Sequence, residues 1–258
     1  MSYKIVFFDI DGTLVDDRKQ IPPDTVQAIR DLQSRGVEAV IATGRAPYFF
    51  APLLETLGID SYVSLNGAYV VYKGEPVFSR EIPQTSVEAF VSHAALHRHS
   101  LVFESHSAFY TNNDSDPLML ESVTSLRVDL PGYDPEFWQK QPIYQMFLHC
   151  ESAEEPLYER AVPGLKMIRW HEKAMDVLPD DRSKAQGIEA LLAHIGVSSE
   201  AAVAFGDGLN DKEMLALVGL GIAMGNAHEE LKPYADYITT HVEEDGIGNG
   251  LRYAGLID

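Results

Sequence analysis

The sequence contains little that would suit a secreted or membrane-spanning protein. It has a single cysteine, Cys150, among 258 residues, so no disulfide can form within the chain. No apolar run approaches the roughly 18 residues of a membrane-spanning helix. The first apolar segment stops at an acid after a few residues, unlike the core of a signal peptide. These absences predict a cytoplasmic protein with no membrane partner.

Basic residues are also scarce. The chain has 20 lysines and arginines against 39 acids, a formal net charge of −19. Nucleic acids and anionic membrane surfaces require a basic face, so we expect neither as a partner. A small anionic substrate remains compatible, because a few bases and a cation can reverse the field locally. We expect a monomer or a weak homo-oligomer.

The first third and the last third of the chain alternate between predicted strands and helices. Short, continuous apolar runs are typical of strands that are buried on both faces. Helices of about a dozen residues separate them, as in βαβ units with a parallel sheet. This pattern predicts an α/β fold with a Rossmann-like core. The predicted strands are KIVFFD, VEAVIAT, DSYVSLNG, AAVAFGD and DYITT, and HEELKPYA is predicted to be a late helix.

The middle of the chain has a different pattern. Between about residues 83 and 181, strands follow one another in runs, as in an antiparallel α+β unit. The simplest organisation is a discontinuous core, residues 1–82 and 182–258, with an inserted cap domain at 83–181.

Polar residues follow the predicted core strands at the point where each strand ends. In open parallel sheets, ligands bind outside the carboxyl ends of the strands. We therefore expect these residues to meet at one edge of the sheet. They are Asp9 and Asp11 after the first strand, Thr43, Gly44 and Arg45 after the second, Asn66 and Gly67 after the third, and Gly206, Asp207 and Gly208 after AAVAF.

Two carboxylates at Asp9 and Asp11 repel each other, and burial makes their charges costlier still. A cation between them would offset this cost, as would different protonation states of the two acids. Asp207 and Asp211 add two more acids, and oxygen ligands without sulfur or imidazole point to Mg²⁺, which usually handles phosphate. Lys184 opens a helix and would make an anion site there. A carboxylate in such a setting is a candidate nucleophile.

These segments together resemble the motifs of the haloacid dehalogenase (HAD) superfamily. FFDIDGTL resembles the first motif and ATGR, at 42–45, the second. Lys184 in DRSKAQGIEAL matches the third, and FGDGLNDKEML resembles the fourth. The insertion between the second and third motifs, NGA at 66–68 and the GIAMGNAHEELKPYADYITT tail are similar to Cof-type (subclass IIB) phosphatases.

The resemblance implies a role for each matching residue. Asp9 would be the nucleophile that becomes the aspartyl phosphate, and Asp11 the general acid and base. Mg²⁺ would be held by Asp9, the backbone carbonyl of Asp11, and Asp207, with Asp211 nearby. Residues implied to bind phosphate or substrate are Thr43, Gly44, Arg45, Asn66, Lys184 and Asn210.

The resemblance also implies the reaction, which is Mg²⁺-dependent hydrolysis of a small phosphorylated metabolite. Sugar phosphates, nucleotides, flavin mononucleotide and pyridoxal phosphate are all compatible substrate classes. A sugar phosphomutase of the same superfamily and a non-catalytic module that binds phosphate esters are the alternatives. A dehalogenase does not fit, because Asp11 would supply a proton that a halide does not need.

Overall fold

A computed structural model describes residues 3–159 and 161–258. Fourteen strands and eight α-helices lie within these ranges. The strands are β1 Ile5–Phe8, β2 Glu38–Ala42, β3 Tyr62–Ser64, β4 Tyr69–Tyr72, β5 Glu75–Ser79, β6 Ser100–Glu104, β7 Phe109–Thr111, β8 Gly132–Tyr133, β9 Gln145–His149, β10 Leu165–His171, β11 Ala174–Pro179, β12 Ala202–Gly206, β13 Leu220–Ala223 and β14 Tyr237–Ile238. The helices are α1 Pro23–Ser34, α2 Ala51–Leu57, α3 Gln84–His97, α4 Pro117–Ser125, α5 Phe137–Lys140, α6 Lys184–Ile195, α7 Lys212–Leu217 and α8 Gly246–Tyr253. None of the helices in these ranges is long and apolar enough to cross a membrane.

The chain divides into two compact units. Unit 1 comprises Met1–Arg45, Phe50–Ser79 and Ser183–Asp258, and unit 2 comprises Ala46–Phe49 and Arg80–Arg182. The short segment at 46–49 is therefore part of unit 2, although the residues on both sides of it belong to unit 1.

Unit 1 contains an eight-stranded sheet in the order β14-β13-β12-β1-β2-β3-β4-β5. The first six strands in this order run parallel, which confirms the predicted α/β core. The antiparallel β4 and β5 extend the sheet beyond the predicted strands. Sequence reasoning missed this hairpin, because YVVY and EPVFS follow the third strand without an intervening helix.

Strand β1 lies at the centre of this sheet and is buried on both faces. Val6 and Phe8 pack into one hydrophobic cluster, with Ile29 and Leu32 of α1. Ile5 and Phe7 pack into a second cluster on the opposite face, with residues of α6. Successive side chains of a strand point to opposite faces, so an unbroken apolar run supplies apolar side chains to the clusters on both faces of the sheet.

Unit 2 contains a six-stranded sheet in the order β10-β11-β9-β6-β7-β8, in which only the β7–β8 pair of described strands is parallel. Helix α3 packs against one face, next to Leu101 and Phe103. Helix α4 packs against the other, next to Val102 and Phe147. The predicted α+β character of the inserted segment is confirmed.

One predicted helix is wrong. HEELKPYA forms turns, and only Lys232–Tyr234 adopts a short 3-10 helix. Pro233 lies inside this segment and has no N–H to donate to a preceding carbonyl, which disfavours a continuous α-helix.

Helix α6 approaches β3 and the turn at 65–67 very closely through Gly187. A β-carbon on Gly187 would lie 2.5 Å from Cγ1 of Val63 and 2.8 Å from Cα of Gly67. This contact lets α6 begin at the sheet edge, where Lys184 lies.

Replacing Gly187 by alanine should therefore destabilise unit 1. Alanine normally favours a helix by about 1 kcal/mol over glycine, but overpacking here should cost about 1–3 kcal/mol. Chemical denaturation measures the difference. Ala193→Gly, at an exposed position of the same helix, is the control and should show the ordinary preference for alanine. A stabilised Gly187→Ala variant would contradict the close packing.

Unit 2 contains a buried carboxyl group, Glu104, at the end of β6. Gln145 Nε2 donates to its Oε2 at 2.9 Å, and the Tyr48 hydroxyl approaches Oε1 at 3.4 Å. Burial raises the pKa of Glu104 to about 8, and the charge of Asp176 adds to the shift. The group is therefore largely protonated at neutral pH.

Stability should consequently depend on pH through Glu104. The folded protein retains a proton that the unfolded chain loses above its ordinary pKa of 4.5. This contribution to stability is complete below about pH 4.5 and is lost as pH rises towards about 8. The melting temperature of wild type, relative to Glu104→Gln, should fall across this window. Glu88→Gln, on an exposed part of α3, should follow wild type, and parallel curves for all three proteins would contradict the assignment.

Candidate active site

The chain turns sharply after β1, and Gly12 makes the turn possible. The Asp9 N–H donates to the Phe205 carbonyl at 3.0 Å, which continues the pairing of β1 with β12 by one residue. Gly12 has a φ of +75°, and a β-carbon there would lie 2.2 Å from Oδ2 of Asp207. Only glycine allows the loop after β1 to come this close to the Asp207 carboxylate.

A buried ion triplet lies beside this turn. Lys184 Nζ donates to Asp9 Oδ1 at 2.6 Å and to Asp211 Oδ1 at 2.7 Å. The side chains of Lys184 and Asp211 are both fully buried, and that of Asp9 is 10% exposed. In the described part of the chain, Lys184 is the only group that donates to the Asp9 carboxylate. Oδ2 of Asp9 is therefore available to bind a cation or to act as a nucleophile.

Asp211 also shapes the loop after β12. Its Oδ2 accepts hydrogen bonds from the N–H groups of Asp207 and Gly208, both at 3.0 Å. The Thr13 hydroxyl donates to Asp207 Oδ1 at 2.9 Å. The Asp211 carboxylate is therefore occupied on both oxygens, whereas Asp207 keeps one oxygen directed at the turn after β1.

Asp11 faces a separate set of cations. Arg45 donates two hydrogen bonds to its carboxylate, from Nε to Oδ2 at 2.7 Å and from Nη2 to Oδ1 at 2.6 Å. Lys19 Nζ also donates to Oδ1, at 2.6 Å. Arg45, after β2, and Lys19, further along the loop that follows β1, thus both engage Asp11, whereas Lys184 engages Asp9 and Asp211.

The loops after β2 and β3 are joined through their backbones. The Thr43 carbonyl accepts from the Asn66 N–H at 3.1 Å, and Asn66 has a left-handed backbone. A β-carbon on Gly44 would lie 3.1 Å from the Asn66 side-chain amide. Asn210 Nδ2 donates to Asn66 Oδ1 at 3.3 Å, which links these loops to the one after β12.

Residues 6–251 match the family model of haloacid dehalogenase-like hydrolases. The chain belongs to this family. YkrA of Bacillus subtilis, whose name describes it provisionally as a phosphatase, is 39% identical over the full length of both chains. A hypothetical protein from Geobacillus kaustophilus has a TM-score of 0.94, with 44% identity over 99% of this chain and 100% of its own.

A subclass IIB sugar phosphatase of the HAD superfamily is also similar in structure. It has a TM-score of 0.86 and 31% identity, over 98% of this chain and 100% of its own. The predicted superfamily, the Cof-type resemblance and the enzyme class of hydrolase are therefore confirmed.

The environment gives the acids of this hydrolase different pKa values. Burial raises the pKa of Asp9 well above its usual range; Lys184 opposes the shift, and the charges of Asp211, Asp207 and Asp11 add to it. Burial, with the charge of Asp211, raises the pKa of Asp207 to about 7. Burial acts in the same direction on Asp11, but Arg45 and Lys19 outweigh it and lower its pKa.

Lys184 retains its charge for a related reason. Burial alone would lower its pKa. The negative charges of Asp211 and Asp9, and the hydrogen bonds that Lys184 donates to them, outweigh burial and raise the pKa. The lysine is therefore a fixed positive charge at the base of the cluster.

The donor set of the cluster fits a divalent cation. Asp9, Asp207 and Asp211 each offer an oxygen within 4.8 Å of the others. Burial, and after it the charge of neighbouring carboxylates, raises the pKa values of Asp9 and Asp207, and a bound cation would favour their ionised forms. Hard carboxylate oxygens suit Mg²⁺ or a similar ion. Since Asp211 is already bonded to Lys184 and to two backbone N–H groups, Asp9 and Asp207 are the better candidates for direct ligands.

All ten residues predicted for the site lie in unit 1. The contacts above join them into three groups: Asp9, Lys184, Asp207 and Asp211; Asp11 and Arg45; and Thr43, Gly44, Asn66 and Asn210. Sequence reasoning missed three further residues. Thr13, on Asp207, belongs to the quoted first motif, and Asn226, whose Nδ2 donates to the Gly12 carbonyl at 2.7 Å, follows β13 at the same sheet edge. Their positions in the sequence could have identified Thr13 and Asn226 as site residues. Lys19 could not have been identified, because a lysine in a polar loop has no distinctive pattern.

Divalent cation binding should stabilise unit 1 through Asp9 and Asp207. At 100 times the dissociation constant, Mg²⁺ should add about 2.7 kcal/mol, or roughly 5–10 °C in melting temperature. Asp207→Asn should lose most of this shift. Asp11→Asn should keep it, because that carboxylate is engaged by Arg45 and Lys19. A shift that survives in Asp207→Asn would place the cation elsewhere.

Proposed function

We propose that this hydrolase removes phosphate from small phosphorylated metabolites through a covalent phosphate on Asp9. The observation that carries the proposal is the Asp9 carboxylate at the end of β1, with one oxygen bonded to buried Lys184 and the other available. The phosphatase names of the relatives support the same reaction.

In the first step, a carboxylate oxygen of Asp9 attacks phosphorus. The bond from phosphorus to the ester oxygen breaks, and Asp11 gives its proton to the departing alkoxide. In the second step, Asp11 takes a proton from water as the water oxygen attacks phosphorus. The bond between phosphorus and Asp9 then breaks, which releases inorganic phosphate and restores the carboxylate.

The ion pairs of Asp11 affect both of its proposed roles, as an acid in the first step and as a base in the second. Arg45 and Lys19 lower its pKa and so favour the ionised form, which is the one that accepts a proton from water. To act as an acid, Asp11 must exchange at least part of this contact for a proton. Arg45 therefore sets the balance between the two forms.

Thr43, Lys184 and Asn210 would hold the phosphoryl oxygens as negative charge spreads over them. Gly44 lies against the Asn66 side chain, which accepts a hydrogen bond from Asn210, and Arg45 and Asn66 would contact the substrate. A divalent cation, Mg²⁺ by the chemistry of its ligands, would neutralise phosphate charge beside Asp9 and Asp207.

The family and the candidate cation site support a small phosphate ester as the substrate. A sugar phosphate is the first candidate, since a relative of 31% identity is named a sugar phosphatase. Nucleotides, flavin mononucleotide and pyridoxal phosphate belong on the same panel. We also propose that the inserted segment 83–181 acts as a cap that selects the leaving group, and that the chain works as a monomer or a weak homo-oligomer.

The test is phosphate release from a panel of small phosphate esters, with Mg²⁺ or with a chelator. Asp9→Asn should abolish turnover, a loss of at least about 10³-fold, because the nucleophile is gone. Asp17→Asn, the same change at an exposed position further along the loop that follows β1, should behave as wild type.

Two other outcomes would point to the alternatives. An isomerised sugar phosphate without free phosphate would indicate a phosphomutase. Stable binding of an ester with Mg²⁺, never followed by turnover, would indicate a binding module. Full activity in Asp9→Asn would refute the covalent mechanism.

A further inference from the structure

The turn that contains Lys19 is closed by Asp16. The Asp16 N–H donates to the Gln20 carbonyl at 2.9 Å, and the Asp16 carbonyl accepts from the Lys19 N–H at 2.9 Å. Oδ1 of Asp16 also accepts from the N–H groups of Arg18 and Gln20, at 2.9 and 2.8 Å. Lys19 itself has a left-handed backbone with a φ of +61°, which is uncommon for a residue with a side chain. These hydrogen bonds hold the turn in the conformation that brings Lys19 to Asp11.

Two cations share the single charge of the Asp11 carboxylate. Lys19 Nζ donates to its Oδ1 at 2.6 Å, and Arg45 donates to both of its oxygens. All three side chains are partly accessible: that of Lys19 is 34% exposed, that of Arg45 21% and that of Asp11 40%. Among the described residues, Asp11 is the only acceptor of the Lys19 ammonium, which has further N–H groups to donate. Lys19 can therefore bind a second anion without leaving Asp11.

The position of Asp11 decides which part of a phosphate ester these cations would meet. The inference rests on the proposed function, in which Asp11 exchanges a proton with the leaving-group oxygen while other side chains hold the phosphoryl oxygens. An ammonium that is hydrogen-bonded to Asp11 then lies on the leaving-group side of the ester. A substituent a few bonds from the ester oxygen would be within its reach.

The overall charge of the protein works against the binding of anions. The chain has a formal net charge of −19, and a field of that sign repels a negatively charged ligand at long range. A preference for a leaving group with its own negative charge would therefore have to come from nearby cations. Lys19 and Arg45 supply one more positive charge than Asp11 neutralises.

We propose that Lys19 is a specificity-determining residue, which together with Arg45 binds a second anionic group on the leaving group of the substrate. That group is a carboxylate or a second phosphate, separated from the ester oxygen by a few carbons. Phosphate esters of hydroxy acids or sugar acids, and bisphosphates, are therefore better substrates than esters with an uncharged leaving group.

The experiment compares kcat/KM for three esters of the same carbon skeleton, at constant free Mg²⁺. Glycerol 3-phosphate has an uncharged leaving group, 3-phosphoglycerate adds a carboxylate, and glycerol 1,3-bisphosphate adds a second phosphate. All three release a primary alkoxide, so a change at Asp11 affects them alike and cancels in the ratio of any two. Wild type should prefer at least one anionic ester by about tenfold. The identity of the preferred ester distinguishes a carboxylate from a phosphate.

Variants of the turn test whether Lys19 causes this preference. Lys19→Gln should reduce the ratio of anionic to uncharged ester about tenfold, because it removes the charge-assisted hydrogen bond. Lys19→Arg retains the charge and should retain the preference. Arg18→Gln is the matched control, since it removes one positive charge from the same exposed turn, and its ratio should stay within about twofold of wild type. Unchanged melting temperatures show that the variants are folded.

Several outcomes would overturn the inference. Equal kcat/KM for the three esters in wild type would do so, as would a preference that survives in Lys19→Gln or is lost equally in Arg18→Gln. Hydrolysis of uncharged sugar phosphates without hydrolysis of either anionic ester would also overturn it, while the proposed function would stand. If wild type releases phosphate from no ester of the panel, the proposed function fails, and this inference fails with it.

Discussion

The interaction on which the site depends is the buried hydrogen-bonded contact of Lys184 with Asp9 and Asp211. An ammonium group without solvent is stable only when opposite charges and hydrogen bonds compensate it, and both carboxylates do so at 2.6 and 2.7 Å. Removing one partner of such a buried pair typically costs about 3–5 kcal/mol. The three residues come from the end of β1, the start of α6 and the turn after β12. The contact therefore requires all three segments of the core to be in place.

The sheet topology explains why these segments meet. Strand β1 pairs with β2 on one side and with β12 on the other, so the loops that follow all three strands leave the same edge. Asp9, Arg45 and Asp207 follow those strands. The next strands outward bring Asn66 after β3 and Asn226 after β13. Two glycines permit the closest approaches, Gly12 against Asp207 and Gly187 against Val63.

Electrostatics then distinguish acids that look alike in the sequence. Burial and neighbouring negative charge raise the pKa values of Asp9 and Asp207, the two carboxylates best placed for a cation. Arg45 and Lys19 lower the pKa of Asp11. Carboxylates whose environments move their pKa values apart are suited to different roles. This difference supports the proposed division between a nucleophile beside a cation and a separate proton carrier.

The sequence by itself determined the local features, namely strand β1 and its abrupt end at Asp9, the glycine turn at Gly12, the alternation of strands and helices, and the convergence of the motif residues at one sheet edge. These follow from hydrophobic periodicity and from the few residues that a turn tolerates. Only the tertiary structure decided that 69–79 extends the sheet as a hairpin, that 228–235 is not a helix, and that Lys19 binds Asp11. It also decided that Tyr48 belongs with Glu104, 56 residues away. Such contacts join segments that are distant in the chain, and burial and packing over the whole unit select them, which no short pattern encodes.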